Sequence, residues 1–441
     1  MQEQSAGEHL AVAIVLQLRS HGQKAYLVGG CVRDRLLHIR PKDFDIATDA
    51  SPSQLATYFP GALMVGAHFG VVLVREGTAQ VEVATFRSEG AYRDGRRPDN
   101  VRFESEPRLD AQRRDFTVNA LMEDPISGEI LDYVEGRADL ASRTVRAIGE
   151  PRRRFEEDHL RMLRAVRFAA RLNFTIEDKT REAIREQAEF VLTVSAERVR
   201  DELVRILTEG GARRGLELLD ELGLLVLVLP EVKALQGVEQ PPEFHPEGDV
   251  WTHVLLMLEN MGAATSSLAL GVLLHDVGKP QTFRRAERIR FDGHADVGAE
   301  MAAKLLERLR FSKDEVEQAA SLVANHMKFK DVRNMRPSTL KRFLRLPHFE
   351  EHLELHRLDC LASIGRSESY DFVKGRLSEL GADALRPERL ISGRDLIEEG
   401  YAPGPAFSKA MEAVETAQLE GEIQTRGEAL ALAKRVLDEE C

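Results

Sequence analysis

Two carboxylates two residues apart, Asp43 and Asp45 in Lys42-Asp43-Phe44-Asp45, follow a strand-like Leu27-Val28 and a glycine pair, Gly29-Gly30. On an extended segment, residues i and i+2 point the same way, so the pattern offers both carboxylates to one spot. Paired carboxylates are what divalent cations require when a nucleotide is transferred. The glycines let the backbone approach a triphosphate, and a helix start behind them favours anionic charge. Glu82, in Gln80-Val81-Glu82-Val83, points away from its apolar neighbours and is a candidate third carboxylate; taken alone it reads as a solvent-facing strand residue.

Two further groups keep this company. Arg113-Arg114-Asp115-Phe116-Thr117-Val118-Asn119 offers guanidinium groups suited to gripping phosphate oxygens and an acid able to accept from a ribose hydroxyl. In Glu157-Asp158-His159-Leu160-Arg161 the acid and the arginine stand three apart, which predicts one helix face and, at its plainest, an intrahelical salt bridge. The same pair also suits base reading. Carboxylates accept hydrogen bonds and guanidinium groups donate them. Cytosine and adenine show an exocyclic amine beside a ring-nitrogen acceptor, and uracil and guanine show the reverse, so the pair fits C and A.

A second constellation lies downstream: His253, His275-Asp276, His294, His326 and Asp359, with Lys279 after the His-Asp step. A single histidine on a helix is usually a satisfied core or surface residue. Imidazoles and carboxylates gathered from neighbouring helices form a metal site.

The elements that must position these groups follow from the pattern. Residues 8–19 read as an amphipathic helix, and β-rich runs stand at 25–28, 43–47, 71–74 and 81–86. After Pro151 the chain reads as helical to its end, with helices at 156–171, 178–190, 196–208 and 212–224, and Gln240 to Pro246 as a proline-rich linker. Four segments are expected: 1–149, 150–240, 241–370 and 371–441. At 441 residues the chain exceeds one core. It carries 43% hydrophobic and 30% charged residues, as an ordinary globular protein does, and no apolar run long enough to span a bilayer. The N-terminal MQEQSAGEHL does not read as a signal peptide. Scattered Cys31, Cys360 and Cys441 point to a reducing, cytoplasmic setting and to no disulfide frame. A net charge of −12 argues weakly against nucleic acid, but arginines crowd 93–114 and 137–171.

With its G-G…D-x-D, R-R-D and E-D-x-x-R motifs in order, the stretch from about 20 to 235 resembles the class II tRNA nucleotidyltransferase and bacterial poly(A) polymerase family. The resemblance implies an α+β head of the DNA polymerase beta nucleotidyltransferase type, then an all-α neck and body. It implies Mg2+ at Asp43 and Asp45 with Glu82 as third catalytic carboxylate. Nucleotide binding would fall to Gly29, Gly30, Arg33, Arg113, Arg114, Asp115, Asn119, Asp158, Arg161 and Arg164. Arg87 to Val101 looks like the family's flexible loop and disfavours a CC-only enzyme; His159 stands where proline is frequent. Residues 241–370 resemble the HD phosphohydrolase superfamily, all-α. That implies a divalent transition metal or Mg2+ held by His253, His275, Asp276, His294, His326 and Asp359, with a helical tail behind. The expected activity is addition of CMP and AMP from CTP and ATP to the tRNA 3′ end, with an HD phosphohydrolase activity beside it and no membrane or DNA partner. The alternatives are a poly(A) polymerase, an A-only or CC-only enzyme, and an HD hydrolase whose head serves only to bind RNA.

Overall fold

The computed structural model describes residues 5–64, 70–89, 101–363, 365, 367–381 and 385–440; of the expected flexible loop, Arg87 to Val101, residues 90–100 lie outside them. The chain divides into two compact units, Met1–Lys233 and Ala234–Cys441.

Unit 1 begins with helix α1 (Ala6–Ser20), whose N-terminus is capped by the Ser5 hydroxyl accepting from Glu8 N–H. Its strands are β1 (Ala25–Val28), β2 (Asp45–Thr48), β3 (Leu63–Met64), β4 (Val71–Glu76), β5 (Ala79–Thr85), β6 (Arg87–Glu89), β7 (Val101–Phe103), β8 (Met122–Glu123) and β9 (Ile130–Leu131). Seven of them form one mixed sheet in the order β3-β4-β5-β2-β1-β8-β9, while β6 and β7 pair apart as a ribbon. Only β2 and β5 run parallel within that sheet. Val28, Ala47, Phe86, Ala120 and Met122 are buried in one core cluster of the unit. Each predicted β-rich run is present, within two or three residues of its expected ends.

Register brings the chemistry together. Val28, the last residue of β1, faces Asp45, and Asp45 faces Glu82 on β5. Gly29 follows with φ +75, a left-handed turn that favours glycine, and helix α2 (Gly30–Leu36) starts at once; the short helices α3 (Pro52–Tyr58), α4 (Pro107–Gln112) and α5 (Gly136–Ala141) come later in the chain.

The helical part of unit 1 differs from the expected single helix at 156–171. It breaks into α6 (Pro151–Glu157) and α7 (Arg161–Leu172). Asp158 between them is extended, with φ −151 and ψ 105, and its carboxylate accepts from Leu160 N–H. A side chain that satisfies a nearby backbone donor competes with helical hydrogen bonding, which is why aspartate stops the helix here. Helices α8 (Asp178–Gln187), α9 (Ala196–Thr208) and α10 (Ala212–Glu221) follow, α9 with the expected bounds.

Unit 2 is helical apart from a short ribbon, Arg284–Arg285 against Ile289–Arg290. The Gln240–Pro246 stretch is more than a linker: Gln240 is buried and accepts from Lys279 Nζ at 2.6 Å. Ser392 and Asp395 form a capping box on the helix Gly393–Glu398, and Arg426 binds Asp395, which accounts for the Ile391–Leu396 segment. Among the described residues no helix is long and apolar enough to cross a membrane.

Leu163, fully buried on α7, is expected to carry much of the packing of that helix. Leu163→Ala should lower stability by about 2–5 kcal/mol, read from urea unfolding, with the cost set by how far the site collapses.

Candidate functional site

In unit 1 the D-x-D alternates as expected: Asp43 is exposed, Phe44 buried and Asp45 half-buried. Burial and then repulsion from Glu82 push the Asp45 carboxyl up to about 6, with Arg114 opposing and Asp43 adding to the rise. An acid whose proton affinity is raised by burial and by neighbouring carboxylates is the electrostatic signature of a site completed by a cation. The donor set, all carboxylate oxygen, suits a hard divalent ion. A Cβ placed on Gly29 would lie 3.3 Å from Arg114 Nη1 and 3.9 Å from Asp45 Oδ2, so glycine turn, arginine and carboxylate share one place.

The arginines are held by acids. Asp110, buried and absent from the expected site, accepts from Arg113 Nε at 2.8 Å and Arg114 Nη2 at 3.0 Å. Its signal in the sequence was the i, i+3 and i, i+4 spacing from Asp110, on α4 (Pro107–Gln112), to the two arginines that follow the helix. Asp115, expected to meet a ribose, instead has both oxygens engaged. Oδ1 accepts from Phe116 N–H and Asn119 Nδ2, and Oδ2 from Arg164 Nε and Nη2 at 2.8 and 2.6 Å. Burial works to raise its pKa, but the Arg164 charge and hydrogen bonds outweigh it and hold the carboxyl down at about 2.

Arg33 is buried and donates to Asp34 Oδ1 and, through Nη1, to Asn119 Oδ1 at 2.6 Å. Asp158 and Arg161, the pair expected to read the base, stand at the α6–α7 break, and each has its own tether. Asp158 Oδ2 accepts from Arg198 on α9 at 2.7 Å, and Arg161 Nη1 donates to Glu157 at 2.6 Å and to the Arg154 carbonyl at 2.9 Å. Helix α9 therefore backs the pair, with Glu202 further along it gripping Arg167 at 2.7 Å. Neither Arg198 nor Glu202 was singled out by sequence; their four-residue spacing on one face of α9 was the available sign.

In unit 2 all six expected ligands are brought together. Their atoms form triads lying within 4.8 Å of one another: His253, His275 and Asp359, and Asp276, His294 and His326. His275, His294 and His326 place Nδ1 against the carbonyls of Val272, Phe291 and Val323 at 2.9, 2.8 and 2.6 Å. A carbonyl only accepts, so each Nδ1 carries the proton and each Nε2 turns a lone pair inward. His294 Nε2 and His326 Nε2 stand 3.2 Å apart. Nε2 of His253 and of His275 are buried without a well-directed hydrogen bond, with Asp359 and Asp276 oxygens 3.2 and 3.1 Å away. Converging lone pairs and carboxylates fit a divalent ion with nitrogen and oxygen ligands.

Gly278 makes this convergence feasible, because a Cβ there would lie 2.2 Å from the His294 carbonyl. Sequence reading missed Glu247, whose Oε1 takes Nδ1 of both His253 and His245, at 2.7 and 2.9 Å. Burial pulls the His253 imidazole down, but Asp359 and Glu247 outweigh it and carry it up to about 9. A cavity of about 770 Å³ opens onto His275, Asp276, His294 and His326 and is edged by Lys279, Arg288 and Lys330.

The Asp115–Arg164 pair gives a pH-dependent expectation. A depressed acid contributes stability that is present above its unfolded pKa, near 3.8, and lost as pH falls through about 2. Asp115→Asn should therefore cost about 2 kcal/mol or more at pH 7, and the gap to wild type in urea unfolding should shrink below pH 4.

Comparison with known proteins follows the same division. Residues 25–146 match the Poly A polymerase head domain, 173–236 the probable RNA and SrmB- binding site of polymerase A, and 249–354 the HD domain. A CCA-adding enzyme of Lactobacillus johnsonii is 36% identical over 257 residues, 56% of this chain and 63% of that protein. One of Enterococcus faecalis is 44% identical over 206 residues, 47% and 50% of the two chains. The matched stretch thus spans between half and 63% of these curated relatives. The Bacillus stearothermophilus CCA-adding enzyme in complex with CTP aligns over 99% of this chain and all of its own, with TM-score 0.75 and 27% identity. A Thermotoga maritima CCA-adding enzyme complexed with tRNA shares the fold, at TM-score 0.57 and 19% identity over 100% of this chain and 97% of its own. With a head, an RNA-binding region and an HD domain matched in this order, behind one set of G-G, D-x-D, R-R-D and E-D-x-x-R motifs, the chain is similar in domain order and fold to the CCA-adding enzymes it matches.

Proposed function

We propose that unit 1 adds CMP and AMP, taken from CTP and ATP, to the 3′ end of tRNA without a template, in the cytoplasm. The observation that carries this reading is the meeting of Asp45 with Glu82, Gly29 and Arg114 at one end of the sheet. The names of the relatives agree with it. Asp43 and Asp45 are the residues to hold Mg2+, with Glu82 beside them. Such an ion supplies positive charge to the α-phosphate and eases deprotonation of the attacking 3′-hydroxyl. The glycine turn and the N-terminus of α2 receive the triphosphate, and Arg113 and Arg114, clamped by Asp110, neutralise its charge. Asp158 accepts from the exocyclic amine of C or A, and Arg161 donates to the neighbouring ring nitrogen. Asp115 acts through Arg164 and Asn119, which it orients.

The test is end extension of tRNA lacking CCA, tRNA lacking only the final A, and an unrelated RNA, each with single and paired nucleotides. Asp43→Ala and Asp45→Ala should abolish incorporation while tRNA binding persists. Retained turnover would remove the carboxylates from catalysis, and long A tracts on the unrelated RNA would favour a poly(A) polymerase. Asp158→Ala with Arg161→Ala should erode the preference for C and A.

A second activity is favoured by the inward lone pairs of unit 2. We assign the HD residues to the holding of a divalent metal, Mg2+ or a transition metal, which when bound would activate water and polarise the phosphate for hydrolysis of phosphate esters. His253, His275, His294 and His326 with Asp276 and Asp359 hold it, and Lys279, Arg288 and Lys330 draw an anionic substrate into the cavity. His275→Ala with Asp276→Ala should lose the bound metal by elemental analysis and any phosphatase activity, leaving nucleotide addition intact. Phosphatase activity surviving that change would place the chemistry elsewhere.

A further inference from the structure

We infer that a closed ring of ion pairs, completed by hydrogen bonds through Asn119, around Phe168 sets the geometry of nucleotide selection, with Asp34 and Arg171 as its positioning residues; the inference rests on the nucleotidyl-transfer reading of unit 1. From Arg164 the ring passes to Glu202 at 3.8 Å, then to Arg167 at 2.7 Å and Glu209 at 3.3 Å. Glu209 reaches Arg171 at 3.8 Å, and Arg171 donates to Asp34 Oδ2 at 2.9 Å. Asp34 Oδ1 takes Arg33, which returns through Asn119 and Asp115 to Arg164. The circuit holds four guanidinium groups and four carboxylates, so it is neutral as built. At its centre Phe168, 5% exposed, has the guanidinium carbons of Arg33, Arg164 and Arg167 over its ring at 5.2, 5.4 and 4.2 Å.

The ring touches the proposed nucleotide site at two places. Arg33 lies beneath the glycine turn: a Cβ on Gly30 would sit 3.6 Å from its Nη2. It also holds Asn119, whose carbonyl accepts from Arg114 at 3.4 Å. On the other side, Arg164 is one turn along α7 from Arg161 and partly exposed. Triphosphate grip and base reading are therefore fastened to the same circuit. Asp34 and Arg171 complete it away from both places, and every acid of the circuit joins two of its other members. An amide at position 34 has one accepting oxygen where two are used, so it releases either Arg33 or Arg171. Small displacements at a positioning residue cost reactive geometry steeply.

Single-nucleotide incorporation onto tRNA lacking CCA, with all four nucleotides, tests this. Asp34→Asn and Arg171→Gln should lower the ratio of kcat/KM for CTP to that for UTP by about tenfold or more, mainly by raising KM for CTP, and Arg171→Lys should restore most of it. If Asp34→Asn does not fold, judged by thermal melting, the two Arg171 variants carry the measurement. An equal loss for all four nucleotides, or an unchanged ratio in a folded Arg171→Gln protein, overturns the inference while leaving the nucleotidyl-transfer reading in place. Wild-type protein that incorporates the four nucleotides alike overturns the base-reading role and the inference with it.

Discussion

Strand register is what the rest of unit 1 depends on. Asp45 is paired on one side with Val28, antiparallel, and on the other with Glu82, parallel. The first pairing sets it beside a glycine turn and the second beside another carboxylate. Because side chains alternate along a strand, a slip of one residue would send Asp45 into the core and Ile46 outward. Hydrophobic burial of Ile46 on the opposite face therefore helps fix the position of the acids. Packing energy holds like charges together at a place where their own repulsion would part them.

Charges in both units are settled by partners instead of by solvent. In unit 1 Asp110 clamps two arginines, Asp115 clamps a third, and α9 supplies the counter-charges for α7. Removing one partner of such a buried pair strands the other, so these positions are expensive to alter even where they contact no nucleotide. In unit 2 the backbone takes the same part. Carbonyls near helix ends fix three imidazoles, and Glu247 fixes a fourth. Outer contacts of this kind decide which nitrogen faces a metal.

Much of this could be read from residue order. Strands, most helices and the choice of the six HD residues that the fold gathers followed from periodicity and motif, because local pattern determines local structure and these residues sit on elements with clear starts and stops. The α6–α7 break escaped, since Leu160, Leu163 and Val166 keep helical spacing across it while one aspartate side chain redirects the backbone. Asp110, Arg198, Glu202 and Glu247 escaped for another reason. Each acts on a residue brought near by the fold, and only Asp110 has its targets within one helical turn. The proline-rich stretch before Glu247 looked like a spacer because turn residues say where a chain bends and nothing about what it packs on.

Tethering of the imidazoles has a consequence for how the HD site would fill. Their ring planes and tautomers are already set by main-chain acceptors, so an arriving ion finds its donors oriented and little rearrangement remains. Nitrogen and oxygen donors held in this way rank divalent ions by their intrinsic affinity for such ligands, and occupancy would then follow that ranking weighted by which ions the surroundings supply.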